Sequence, residues 1–176
     1  MIYDPATEKF ISNSRDIAEY LDQQYPTTQK LILDPVFETE WEGVVSKHIS
    51  SPGSTFMALH NLASAPAARH IRRIREAQLG KTLEELSTEE AVSKQWKEFE
   101  NGFTQISEFY KKAGTTFLSK GDAPAWADLV VGSRLISQKY LYGEDSKQWK
   151  DIMEWDGGLW KRFNEALQVY EGDGLE

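Results

Sequence analysis

Along most of this chain, apolar and polar residues alternate with the period of a helix. Over residues 36–49 the positions Phe37, Trp41, Val44 or Val45 and His48 fall three to four apart, which predicts one helix. Ser51-Pro52-Gly53 breaks that run, and residues 55–62 predict a second, short apolar helix that stops near Ala65-Pro66. Residues 67–79 predict a third, with Gly80 in the stop position. Ser87-x-x-Glu90 reads as a capping box opening a long helix to about Lys112. The seam of that helix, Val92, Trp96, Phe99, Phe103, Ile106 and Tyr110, is regular enough to place these rings in a core rather than against a ligand. Beyond a break at 143–146, residues 148–155 predict a short helix. Gly157-Gly158 then precedes a final amphipathic helix with Leu159, Trp160, Phe163, Leu167 and Tyr170 inward.

The stretch 122–142, DAPAWADLVVGSRLISQKYLY, has a different pattern. Its middle, Trp126 to Val131, is apolar on every side except at Asp128, which predicts a central helix enclosed by others. Pro124 suits the approach to its start. Asp128 falls in the first turn, where a carboxylate meets unpaired backbone N–H groups and the positive end of the helix dipole, so it reads as structural.

The first thirty residues follow neither pattern. Residues 1–3 and 9–11 are strand-like pieces on either side of Asp4-Pro5, and together they predict a hairpin. A helix over 15–24 follows, capped by Asn13 and with Asp16 in its first turn, and Tyr25-Pro26 ends it. Two strands and one helix cannot cover both faces of a sheet, so this unit predicts part of a larger layer. The polar crossing at 27–34 divides the chain into units 1–30 and 31–176, mainly α.

Composition narrows the class. With 20 Lys and Arg against 28 Asp and Glu, the net charge is -8, which argues against nucleic acid and gives no basis for docking on anionic lipid. There is no cysteine, so disulfides, thiolate catalysis and Cys-ligated zinc are excluded within these residues. No apolar run approaches a membrane span, and the start lacks the regions of a signal peptide. A cytoplasmic protein with no membrane partner is expected.

Pro-x-x-Ala-Asp at the head of an enclosed helix, preceded by Thr116-Phe117-Leu118-Ser119-Lys120-Gly121, resembles the core helix of the glutathione transferase C-terminal domain. That family has Ser or Thr three residues before the Asp, closing a reciprocal capping box; here the position is Ala125. The segment Asp-Pro-x-Thr-x-Lys-Phe-Ile-x-x-Ser-x-x-Ile-Ala-x-Tyr-Leu-Asp-x-x-Tyr-Pro resembles the end of the family's thioredoxin-like half: third strand, fourth strand, third helix. Two further segments are similar to the fungal branch related to bacterial β-etherases, including members in secondary-metabolite clusters. These are Arg72-Arg73-Ile74-Arg75-Glu76 through Gly80-Lys81-Thr82-Leu83-Glu84, and Trp155-Asp156-Gly157-Gly158-x-Trp160-Lys161-Arg162-Phe163. The resemblance implies a helical transferase bundle over 31–176 and a truncated thioredoxin-like remnant over 1–30. The upstream strands, their helix and the family's cis-proline are expected to be absent.

What it implies for chemistry follows the same residues. The family's acidic residue and Ser at this helix start hold the γ-glutamyl end of glutathione. The Ser carries over to Ser14 and the acid is replaced by Asn13, so both are candidates for binding glutathione as co-substrate; simple capping is the alternative. The family's catalytic Ser, Tyr or Cys near the first strand has no match, so no catalytic residue is assigned. Trp41, Phe56, His60 and Trp126 are expected to line the acceptor pocket for a small hydrophobic or aromatic electrophile. His48, His60 and His70 have no metal-ligand spacing, and no metal is expected. Arg69, Arg72, Arg73 and Arg75 read either as a solvated helix face answered by Glu76, Glu84 and Glu85, or as an anchor for a carboxylate on a substrate or partner. Three functions fit: a glutathione transferase-like enzyme, a shortened relative with a glutathione-independent small-molecule role, and a non-catalytic dimerisation module whose bare hairpin edge seeks a second copy.

Overall fold

The computed structural model describes residues 1–49, 53–119 and 123–170. Strands β1 (Ile2–Asp4) and β2 (Lys9–Ile11) pair antiparallel with Tyr3 opposite Phe10. Helix α1 (Ser14–Gln24) follows, and a crossing leads to α2 (Pro35–His48). Asp34 caps α2 by accepting from Val36 N and Phe37 N, and Pro35 supplies the fixed φ of a first helical residue. Helices α3 (Gly53–Leu62) and α4 (Ala65–Leu79) form a hairpin, and α5 (Leu83–Leu86) is one turn. The long α6 (Glu89–Ala113), α7 (Trp126–Tyr142), α8 (Lys147–Leu167) and a 3₁₀ turn at Gln168–Tyr170 complete the described chain.

The core lies between α2, α6, α7 and α8. Phe99, Phe103, Ile106 and Tyr110 of α6 meet Val131 and Leu135 of α7 and Trp155, Trp160 and Phe163 of α8, all buried. The rings meet largely edge to face, as Phe103 does with Trp160 at 4.8 Å between centroids, an arrangement the ring quadrupoles favour. Small residues let these helices approach closely. A Cβ on Gly102 would sit 1.7 Å from the His48 carbonyl oxygen, so α2 and α6 touch backbone to backbone at that point.

Several sequence expectations are corrected. Ser87 and Glu90 do not cap α6. Thr88 does, accepting from Ala91 N at 3.3 Å, while the reciprocal capping box belongs to Thr82 and Glu85 at the head of α5. Ala65-Pro66 opens α4 rather than ending α3, since proline is tolerated in a first turn. Tyr170, expected inward, is half exposed, since the α-helix ends at Leu167 and Tyr170 falls in the 3₁₀ turn that follows. The expected break between the two last helices is present within α8: Trp155 to Gly158 leave helical φ/ψ, with positive φ at Asp156, Gly157 and Gly158. Nor is α7 enclosed on all sides. Ala127, Asp128, Val131, Gly132, Leu135 and Gln138 are buried, while Ser133, Ser137 and Tyr140 are exposed. The expected starts and breaks at Asp122 and Ser51-Pro52 lie outside the described residues.

Candidate functional site

Two regions bear on function, at opposite ends of α7. The first is the start of α1. Asn13 caps it with φ of 72°, a left-handed conformation that asparagine tolerates, and its side chain accepts from Arg15 N at 3.2 Å. Ser14 follows as the first helical residue and its side chain is exposed, so its hydroxyl and the free N–H groups of the first turn are open to a ligand.

Behind Ser14 lies a polar knot that the sequence did not reveal. The Arg15 guanidinium, largely buried, donates Nε to Glu19 Oε1 at 2.6 Å and Nη1 to Glu42 Oε1 at 2.8 Å. The same Glu42 oxygen accepts the Trp126 indole Nε1–H at 2.7 Å. Arg15, Glu42 and Trp126 thereby join α1, α2 and the head of α7, placing Trp126 beside the Ser14 region. The only linear signal was a pair of charges 27 residues apart, and nothing in the spacing of Arg15 and Glu42 marks them as partners.

Beneath this knot, Asp128 closes the head of α7. Its Oδ2 accepts from Ala125 N at 2.9 Å and its Oδ1 from Leu118 N at 2.8 Å. Ala125 offers no return acceptor, so the capping box is half present. Burial raises the Asp128 pKa, and the backbone donors oppose that rise by favouring the carboxylate. The Tyr110 hydroxyl faces the same carboxylate without reaching hydrogen-bond geometry, and burial drives its pKa well above the usual value. Glu38 is fully buried nearby with its pKa raised by burial; Oε1 takes a long contact from Leu33 N at 3.4 Å and Oε2 has no partner.

The second region is a cleft of about 690 Å³ between the end of α2, the α3–α4 hairpin and the later half of α7. Its wall is mostly apolar, with Ile49, Phe56, Leu59 and Leu141. The four residues expected to form one acceptor pocket are not brought together. Phe56 lines this cleft. Trp41 is 1% exposed, buried against Phe37 and Phe109 with its Nε1 donating to Ala127 O at 3.0 Å. Trp126 is at the other end of α7, and the His60 ring contacts Asn61 rather than the cleft. The aromatic seam reasoning that assigned α6 to the core applies equally to Trp41.

The arginines divide. Arg72 pairs with Glu76 at 2.8 Å and with Glu84 at 2.7 Å, as a solvated face predicts, while Glu85 is taken up by its cap. Arg75 instead lies 4.5 Å over the Phe56 ring, inside the cleft. His48 is partly buried and His70 is exposed. Among the described residues no group of three or more His, Cys, Asp or Glu could hold a metal ion, and no helix is long and apolar enough to cross a membrane.

Comparison with known proteins places this architecture. Residues 33–170 match the family described as glutathione S-transferase, C-terminal domain. The chain is similar to the glutathione S-transferase CsGST83044 of Ceriporiopsis subvermispora, solved in complex with glutathione. Identity is 29% and the TM-score 0.86, over 95% of this chain and 69% of that one. It is similar to CsGST63524 of the same fungus, also solved with glutathione, at 29% identity and TM-score 0.87 over 97% of this chain and 70% of the other. Glutathione transferase GSTFuA2 of Phanerochaete chrysosporium gives 28% identity and a TM-score of 0.83, covering 97% and 69%. No curated protein matches.

Proposed function

This chain belongs to the glutathione S-transferase C-terminal domain family, and from that premise we propose that it binds glutathione at the head of α1 and processes a small hydrophobic or aromatic electrophile. The observation that carries the reading is the likeness, over almost the whole chain, to two fungal transferases solved with glutathione, together with an exposed Ser14 at a helix start. The Ser14 hydroxyl and the first-turn N–H groups would accept the γ-glutamyl carboxylate, since a helix N-terminus combines unpaired donors with the positive end of the dipole. Asn13 would orient this turn without supplying a charge for the substrate amine. Arg15, held by Glu19 and Glu42, would fix the turn against the bundle. The role given to these residues is binding and orientation, and the group that ionises the thiol is assigned to none of them.

The test is isothermal titration of the chain with glutathione to millimolar concentration. Binding is expected, weakened about tenfold by Ser14→Ala, in line with the loss of one hydrogen bond to a charged group. No heat at millimolar glutathione would overturn the reading and favour a glutathione-independent role for the cleft, which the neutral Asn13 already supports. The exposed Tyr3 and Phe10 rings, 4.6 Å apart on the hairpin, also support a homodimer in which a second copy covers them.

A further inference from the structure

Between the amino-terminal unit and the bundle, Leu31, Ile32 and Leu33 present three successive amide N–H groups, and each is received by a carboxylate. Asp22 of α1 takes the first two, one on each oxygen, at 2.8 Å and 2.7 Å. Glu38 of α2 takes the third on Oε1, at 3.4 Å. The Leu31 carbonyl in turn accepts from Trp126 N at 2.9 Å, and Ile32 is buried. This three-residue joint ties α1, α2 and the head of α7 together.

Asp22 is partly exposed, so water shares its charge, whereas Glu38 is 0% exposed. Glu38 Oε2 has no hydrogen-bond partner among the described residues. The titratable and charged groups that face Glu38 come from every element packed there: Arg15 from α1, Glu42 from α2 itself, Tyr110 from α6 and Asp128 from α7. Two of these are acids, and Asp128 is as buried as Glu38. The one cation, Arg15, is already engaged by Glu19 and Glu42. Two carboxylates in one buried cluster do not both stay charged, because desolvation and like charge both favour a proton on one of them. The donors decide which. Asp128 accepts from two backbone N–H groups at 2.8 Å and 2.9 Å, which favours its ionised form, while Glu38 has one long contact and a bare oxygen. Burial pushes the Glu38 carboxyl above the usual range; the Leu33 N–H and Arg15 oppose that rise, and Asp128 and Glu42 add to it.

We propose that Glu38 is a proton-operated latch that seats the amino-terminal unit on the bundle and thereby positions the start of α1. With its proton, Glu38 holds the 31–33 joint against α2 and the head of α7. On losing the proton it becomes a second buried anion beside Asp128, and the joint opens to let water reach it. A group whose pKa is raised in the folded state stabilises that state below the unfolded value, and the contribution is lost as pH rises through the folded value. The latch therefore loosens as pH climbs above the ordinary carboxylate range. The opening stays within the amino-terminal unit, since the aromatic core of α6, α7 and α8 is held by apolar contacts that carry no charge. Glu38 is a positioning residue, acting on Ser14 only through the joint. Its effect on glutathione rests on the binding reading above; the proton and its release do not.

The experiment follows amide hydrogen exchange of the full chain, without glutathione, from about pH 6 to about pH 9, with rates divided by those of an unstructured peptide at each pH. Protection of α1, the hairpin and Leu31 to Leu33 is expected to fall roughly tenfold or more across that range, while α6 to α8 keep theirs. Glu38→Gln, which keeps the size and removes the charge, is expected to hold protection level. A fall of equal size in Glu38→Gln, or one spread evenly over the bundle, would overturn the proposal. Infrared spectra of the wild-type chain, with carbon-13 in the glutamate side-chain carboxyls, read the proton directly and decide the question should Glu38→Gln fail to fold. A carboxylic-acid carbonyl band from glutamate is expected at about pH 6 and fades as pH rises; no such band at about pH 6 would sink the latch. Glutathione binding is expected to weaken more steeply with pH in the wild type than in Glu38→Gln, and parallel curves would break the link to Ser14. No glutathione binding at any pH, with exchange and infrared as expected, would remove the transferase reading and leave the latch standing.

Discussion

Asp4 shows how a single residue ties the amino-terminal unit together. Its carboxylate is almost fully buried and accepts from Tyr20 at 2.6 Å, Tyr25 at 2.9 Å and Ala6 N at 2.8 Å, so β1 is fastened to the later half of α1 and to the residue that ends it. These donors, Tyr20 foremost, lower its pKa from 3.8 to about 2. A lowered pKa favours the folded state above the unfolded value, and that contribution is lost as pH falls from about 4 towards 2. Asp4→Asn is therefore expected to remove a step in the urea midpoint between pH 4 and 2 and to lower the midpoint at pH 7; a wild-type and variant pair with parallel curves would contradict this. Burial shifts Glu38 and Asp128 in the opposite sense. A raised pKa favours the folded state below the unfolded value and loses that contribution as pH rises, so these two acids oppose Asp4 in the total pH dependence. The sequence marked Asp128 as a cap because its place in a helix first turn is local. It did not mark Asp4, since its partners lie 16 and 21 residues away.

Among the elements, α2, α6, α7 and α8 are held at their distances by two glycines whose roles differ in degree. A methyl on Gly102 would meet the His48 carbonyl at 1.7 Å, a backbone atom that cannot move without shifting α2. A methyl on Gly132 would meet Leu167 Cδ1 at 2.6 Å, the end of a flexible side chain. Gly102→Ala is expected to cost more than about 3 kcal/mol or prevent folding, and Gly132→Ala about 1 to 2 kcal/mol, the range for modest overpacking. Denaturant melts of the two variants check the order, and equal losses would show that α2 can slide on α6. Helix periods, the stop at Gly80 and the break at Gly157-Gly158 were all readable from the chain, because each depends on local spacing or on a backbone conformation glycine favours. The start of α6 was misplaced by one residue because Ser87 and Thr88 are equally good caps in isolation, and α5 had already taken Ser87 as its end.

At the scale of the whole molecule, the amino-terminal unit rests on the bundle through polar contacts. Besides the Arg15–Glu42–Trp126 knot, Gln29 donates to Pro124 O at 2.9 Å and Trp126 N to Leu31 O at 2.9 Å. A seam of this kind, with Glu42 partly exposed, is worth little per contact and opens more readily than a hydrophobic core. Glu42→Gln is expected to speed amide exchange in α1 and the hairpin while leaving α6 to α8 protected; uniform acceleration would mean that the two units unfold as one.

The sequence by itself determined the helical class, the aromatic seam of the core, the hairpin with its capped helix, and the family, because periodicity, caps and short motifs are properties of neighbouring residues. Only the tertiary structure decided which aromatic residues are core and which face a cleft, since Trp41 and Phe56 look alike until the packing of α2, α3, α4 and α7 leaves space beside Phe56 and closes over Trp41. It also decided that Arg15 and Arg72 are the arginines that meet acids among the described residues, because charge pairing between helices depends on distances in space that the linear order does not carry.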